Sequence, residues 1–180
     1  MAQENLDHAI HGFLNQSDEF VDKIYHREED INNVSHAITD YLVKSNQLSL
    51  PLADQKILGS MFYVVNDIER IGDHAENFAD FTKTEIKHNT GLTGDAKEEI
   101  KKMYTAVSRL LKLSLECFME QDGVNKPEDK LAEIAILEAS IDKMERRYQK
   151  HHIKRLAKGE CEPRAGLLFS DMLSELERIA

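Results

Sequence analysis

Apolar residues recur at spacings of three and four along nearly the whole chain, and strictly alternating runs are missing. That period predicts helices and no sheet. The first helix runs from the start to about Asn15, with Ala9, Ile10, Phe13 and Leu14 as its apolar face. Gln16-Ser17-Asp18 is a turn, and Ser17 or Asp18 is placed to cap the next helix. The second helix runs from about Asp18 to Ser45, with Val21, Ile24, Ile31, Ile38, Tyr41 and Leu42 inward. Pro51 marks a loop, and the third helix runs from near Asp54 to about Lys87. Its inward stripe is Leu58, Met61, Phe62, Val65, Gly72 and Ala79. His88 to Gly94 is the clearest break in the chain, so the boundary between two bundles, residues 1–90 and 91–180, is expected there. The fourth helix starts near Asp95, with Ile100, Met103, Val107, Leu110, Leu111, Ser114 and Phe118 inward. Gln121 to Pro127 reads as a loop. The fifth helix runs from about Glu128 to Lys158, with Leu131, Ile134, Ile141, Tyr148 and Leu156 inward and Gly159 as its C-cap. The sixth begins near Arg164 and is still running at Ala180.

The second half repeats the first. Phe118 matches Phe13, Glu138-Xaa-Xaa-Ile141-Asp142 matches Glu28-Xaa-Xaa-Ile31-Asn32, and Glu175–Ala180 matches Asp67–Gly72. The expected fold is therefore all-α: six helices in two repeated antiparallel three-helix bundles. The same match predicts unequal ends. The first helix lacks opening turns that the fourth has, and the sixth stops before the turns that carry the third on to Lys87. Both ends look cut from a longer chain. The shorter sixth helix should leave apolar surface of the fourth and fifth uncovered, or covered by another chain.

The chemistry lies in acids on the inward lines. Glu69 and Asp73 fall on the apolar stripe of the third helix, four residues apart, so one sits about 6 Å above the other. Glu28 holds the same kind of position on the second helix. The repeat makes four acidic turns: Glu28/Asn32, Glu69/Asp73, Glu138/Asp142 and Glu177. If the second and third helices of each half face each other, the carboxylates converge. Carboxylate clusters with few histidines and no cysteine bind Mg, Mn, Ca, iron or Zn. The plainer reading is a solvated acidic face. Arg70 and Arg178 follow the glutamates and are expected to pair with nearby carboxylates. His36 continues the Glu28, Asn32 line and would replace a ligand missing at Asn32, although a lone histidine is more often a surface residue. His74 points about 100° away from Asp73 and is expected outside the cluster. The fifth helix ends in a basic run from Arg146 to Lys158. That run is either a solvated complement to the helix C-terminus or a contact for phosphate or phospholipid.

Composition narrows the function. The chain has 180 residues, 33 acidic and 23 basic, for a net charge of −10. That balance speaks against nucleic acid and suits cations or a basic protein surface. Cys117 and Cys161 are isolated, which fits a reducing compartment and no disulfide framework. No apolar run approaches the ~20 residues of a membrane span. The polar start is no signal peptide, so a cytosolic protein is expected. There is no nucleophile elbow, no phosphate-binding glycine loop and no Cys/His pairing. Glu85-Ile86-Lys87-His88 is the one Glu-Xaa-Xaa-His, and ferritin-like di-iron sites need two.

Asp67-Ile68-Glu69-Arg70-Ile71-Gly72-Asp73-His74-Ala75-Glu76-Asn77 resembles the signature turn of the PhoU family. Ile38-Thr39-Asp40-Tyr41-Leu42 resembles the branch of that family fused to the C-terminus of bacterial Na/phosphate cotransporters. The resemblance covers nearly the whole chain. It implies multinuclear metal sites on carboxylates, with iron or zinc foremost and Mg or Mn as alternatives. It implies a role in phosphate uptake or its control and no established catalytic activity. Carried over, the ligands are Glu28, Glu69 and Asp73 in one half, and Glu138, Asp142 and Glu177 in the other. Asn32 stands where the family has an acid, and the second signature lacks its last residue. The implied partners are a membrane transporter domain upstream, phosphate-transport or sensor proteins, and a second copy in a homodimer. The implied place is the inner face of the membrane. Two alternatives are a free-standing PhoU-type regulator and a carboxylate-metal-dependent phosphohydrolase.

Overall fold

Each predicted helix forms, with ends within a few residues of those read from the spacing. A computed structural model describes residues 1–119 and 128–180. The helices are α1 (Ala2–Asn15), α2 (Val21–Ser45), α3 (Leu52–His88), α4 (Gly94–Met119), α5 (Glu128–Ala157) and α6 (Pro163–Ile179). No strand occurs among the described residues. The loop expected at Gln121 to Pro127 lies outside them. The chain divides into two compact units, Met1–Lys83 and Thr84–Ala180. The division falls inside α3, ahead of the break at His88 to Gly94. Glu85, Thr90 and Leu92 are buried, so the end of α3 and the loop after it belong to the second unit's packing.

In the first unit, Leu6, Ile10 and Phe13 of α1, Ile24 and Ile31 of α2, and Ala75, Phe78 and Ala79 of α3 are buried. Asn5 Nδ2 donates to the Ile24 carbonyl at 3.0 Å, and Arg27 pairs with Glu4 at 2.9 Å. These contacts set α1 against the first half of α2. Tyr25 meets Asp80 and Ile31 meets Gly72, so α2 and α3 run antiparallel. A Cβ on Gly72 would stand 3.3 Å from Ile31 Cδ1, which is why the small residue sits at this crossing. The expected cap of α2 does not form. Helix α2 begins at Val21 with no side-chain cap, and Ser17 Oγ accepts the Glu19 N–H at 3.4 Å instead.

The second unit packs α4, α5 and α6 on one another. Ile100, Met103, Val107, Ile141, Tyr148, Phe169, Met172, Leu173 and Leu176 are buried in it. Gln149 shares a hydrogen bond with Ser170 and Leu156 stands beside Gly166, so α5 and α6 run antiparallel. Gly159 has φ +69 and ends α5, with the Glu160 N–H returning to the Arg155 carbonyl at 2.9 Å. That is the left-handed terminus expected of it.

Several residues read as inward are exposed. Ile38 and Tyr41 of α2 are 41% and 70% exposed. In α5 Leu131 is exposed and Leu156 sits at the border of exposure. The apolar period fixed which face of each helix is inward, but a face is buried only where a third helix reaches it. α1 has 14 residues against the 25 of α2, and α6 has 17 against the 30 of α5. The expected bare apolar surface on α4 and α5 is present: Leu115, Met119, Leu131 and Ile136 are exposed.

Candidate functional site

The α2 and α3 faces that meet in the first unit carry a line of polar groups beside the apolar core. On α3 the line is Glu69, Asp73, Glu76 and Asp80, at helical spacing. On α2 it is Tyr25, Glu28 and Asn32. Tyr25 donates its hydroxyl hydrogen to Asp80 Oδ1 at 2.6 Å and accepts from Lys83 Nζ at 3.2 Å. Burial and the adjacent Asp80 carboxylate push the Tyr25 phenol well above its ordinary range. Asn32 Nδ2 donates to Glu28 Oε1 one turn away.

Glu28 is the focus of the acidic face. Its carboxyl is pushed above the usual range, first by burial and then by the charge of Glu76. Asp73 and Glu69 push in the same direction, while the Asn32 amide opposes them. So Glu69, Asp73 and Glu76 all lie within electrostatic reach of Glu28. Glu69 is half-buried and Asp73 is exposed. None of these acids forms an ion pair among the described residues. The sequence reading missed Glu76, the strongest charge acting on Glu28. Its signal was the spacing itself, since Glu69, Asp73, Glu76 and Asp80 follow one line on the helix.

The second unit gives its predicted acids different surroundings. Glu138 is exposed, and Glu177 is exposed near the end of α6. Asp142 is held by Arg146 of the same helix at 3.4 Å. Gln149 lies opposite Ser170, so Glu138 falls just past the end of α6 at Ile179, while Asp142 falls level with Glu177. Arg178 pairs with Glu175 at 3.1 Å, as expected, whereas Arg70 is exposed and enters no ion pair among the described residues. His36 is exposed, and His74 is buried.

In donor chemistry the acidic face of the first unit suits a hard or borderline cation. In arrangement it is looser than a metal centre: among the described residues, no three His, Cys, Asp or Glu side chains stand close enough to hold one ion. The amide of Asn32 occupies Glu28 where a second acid would have to stand.

The PhoU domain model matches residues 1–82 and again 100–180. The chain belongs to the PhoU family. Both matches coincide with the two helical repeats, so each half of this PhoU-family chain is one copy of the domain. Its fold is also that of PhoU from Pseudomonas aeruginosa, at a TM-score of 0.86 and 20% identity, over 99% of this chain and 82% of that one. No curated protein matches it by sequence. No described helix is long and apolar enough to cross a membrane.

Proposed function

We propose that this chain is a non-enzymatic regulator of phosphate uptake, working at the cytosolic side of the membrane by binding a phosphate-transport or sensor protein. The family match across both repeats is what carries the reading. Na/phosphate cotransporters come first among the partners, because Ile38 to Leu42 resembles the branch of the family fused to them. Ile38 and Tyr41 of that stretch are exposed on α2, where a partner can reach them. A homodimer is part of the same reading.

On metal, the proposal is limited to the first unit. Glu28, Glu69 and Asp73, supported by Glu76, would have to draw closer to hold the cation, and a cation would offset the repulsion that adds to burial in raising the Glu28 carboxyl. Iron, zinc, magnesium and manganese all accept such oxygen donors. Glu138, Asp142 and Glu177 are left out of it, because Glu138 and Glu177 are exposed and Asp142 is paired with Arg146.

Transport is the test. Labelled phosphate uptake into proteoliposomes bearing the source cell's phosphate transporter is measured with and without the chain on the cytosolic face. A saturable change in rate is the expected result, and an unchanged rate at saturating chain counts against the proposal. Phosphate-ester hydrolysis that requires added manganese and disappears in Asp73→Asn would favour the hydrolase instead.

A further inference from the structure

The basic end of α5 does not simply face solvent. It lines a cleft of about 350 Å³ against the first turns of α4, wholly within the second unit. That volume is at the lower end for small-molecule sites, which suits a small ligand. At the cleft wall lie two nearly buried charges, Glu99 at 9% exposure and Arg155 at 8%. Glu99 has both oxygens engaged: Oε2 accepts from Arg155 Nη2 at 2.8 Å, and Oε1 meets His151 Nδ1 at 2.6 Å. Arg155 is fixed from a second side, its guanidinium 5.0 Å from the centre of the Phe169 ring. The acid of this wall is therefore saturated, while its cation is not. Arg155 Nε is buried and has no acceptor among the described residues. Its charge is felt beyond Glu99, since it helps to lower the buried His152 imidazole and opposes the effect of burial on the Cys161 thiol.

Three lysines and three acids form the rim. Lys158 is engaged by Glu160 at 3.5 Å. Lys102 and Lys154 also line the cleft, and neither enters an ion pair among the described residues. Asp95 and Glu98 stand against them and both are exposed; Asp95 is on the first turn of α4, where the helix dipole offsets its charge, and Glu98 is one residue past that turn. No three acids or histidines here are close enough to hold a metal ion, among the described residues. The cleft offers a ligand a fixed guanidinium plane flanked by two free lysines, the donor set that recognises a multiply charged, multi-oxygen anion.

We propose that this cleft binds a phosphate group, either as inorganic phosphate or as a phosphate monoester, through Lys102, Lys154 and Arg155. The proposal rests on the cleft's own residues and stands apart from which transporter the chain regulates.

The test titrates the full chain by calorimetry with inorganic phosphate, with AMP and with acetate. A flotation arm uses phosphatidylcholine vesicles with and without phosphatidic acid. Lys102 and Lys154 are exposed, so Lys102→Ala/Lys154→Ala should keep the fold, checked by circular dichroism. Lys112→Ala/Lys143→Ala removes the same charge from exposed positions outside the cleft. The expected result is binding of phosphate or AMP, weakened at least about tenfold in the cleft variant and less than about twofold in the charge-matched one. Binding confined to phosphatidic acid vesicles, with the same pattern of loss, assigns the phosphate group to a lipid. Equal losses in the two double variants, equal binding of acetate, or no binding in any arm overturns the proposal.

Discussion

Replacing Glu99 with glutamine leaves a buried cation without its counter-charge. The Glu99 and Arg155 side chains are 12% and 10% exposed and lie 2.8 Å apart. Breaking a fully buried ion pair from one side costs about 3–5 kcal/mol, because the remaining charge stays desolvated and alone. The residual exposure of both groups reduces that figure. So does the glutamine carbonyl, which still accepts one hydrogen bond from Arg155. The expected loss is therefore about 2–4 kcal/mol. For a chain of this length each kilocalorie shifts the melting midpoint by about 2–4 °C, so the midpoint should fall by roughly 4 to 16 °C. Thermal and urea unfolding followed by circular dichroism measure it. His151 is a built-in comparison. It meets the same carboxylate at 2.6 Å, but its side chain is 44% exposed, so His151→Ala should cost about 1 kcal/mol or less. The double variant Glu99→Leu/Arg155→Met should recover much of the loss, since two apolar groups leave nothing unpaired. A Glu99→Gln protein within about 0.5 kcal/mol of wild type would refute the reasoning, because it would mean that Arg155 is solvated despite its burial.

Glu28 gives the chain a pH signature of its own. Its carboxyl is raised in the fold, so its contribution to stability is present below the unfolded carboxylate pKa of about 4.3 and is lost as pH rises through the higher folded value. Urea midpoints should therefore show this contribution declining across that window, and Glu76→Gln should flatten the decline by removing the largest charge acting on Glu28. Two glycines of α3 should respond differently to alanine. Gly59→Ala has nothing within 4 Å and should stabilise by about 0.5–1 kcal/mol. Gly72→Ala gains the same helix propensity but presses on Ile31, so it should fall below Gly59→Ala by about 1–3 kcal/mol in the same denaturation assay. Manganese or zinc titration should raise the melting midpoint of wild type more than that of Glu69→Gln, whereas Glu177→Gln should respond like wild type.

The helices and their inward faces were legible because the apolar period is local and each helix is long. Depth of burial was not, as Ile38 and Tyr41 show. They lie on the right face of α2, but their cover depends on how far α1 extends, and no period along α2 contains that length. The acidic face was half legible. Glu28, Glu69 and Asp73 stood out among apolar neighbours, while Glu76 went unread, although it continues the same line. The cleft at the end of α5 was out of reach of pattern reading. Glu99 and Arg155 are far apart in the chain, and only the packing of α4 on α5 turns an ordinary basic run into a wall with one satisfied acid.

Phosphate uptake in living cells tests the central claim most directly. Initial rates of labelled phosphate entry are compared in source cells grown with scarce and abundant phosphate, with the segment encoding this chain deleted and then restored. A PhoU-family regulator predicts that deletion uncouples the uptake rate from phosphate supply and that the restored chain recouples it. Uptake that follows supply equally well in all three strains would contradict the account.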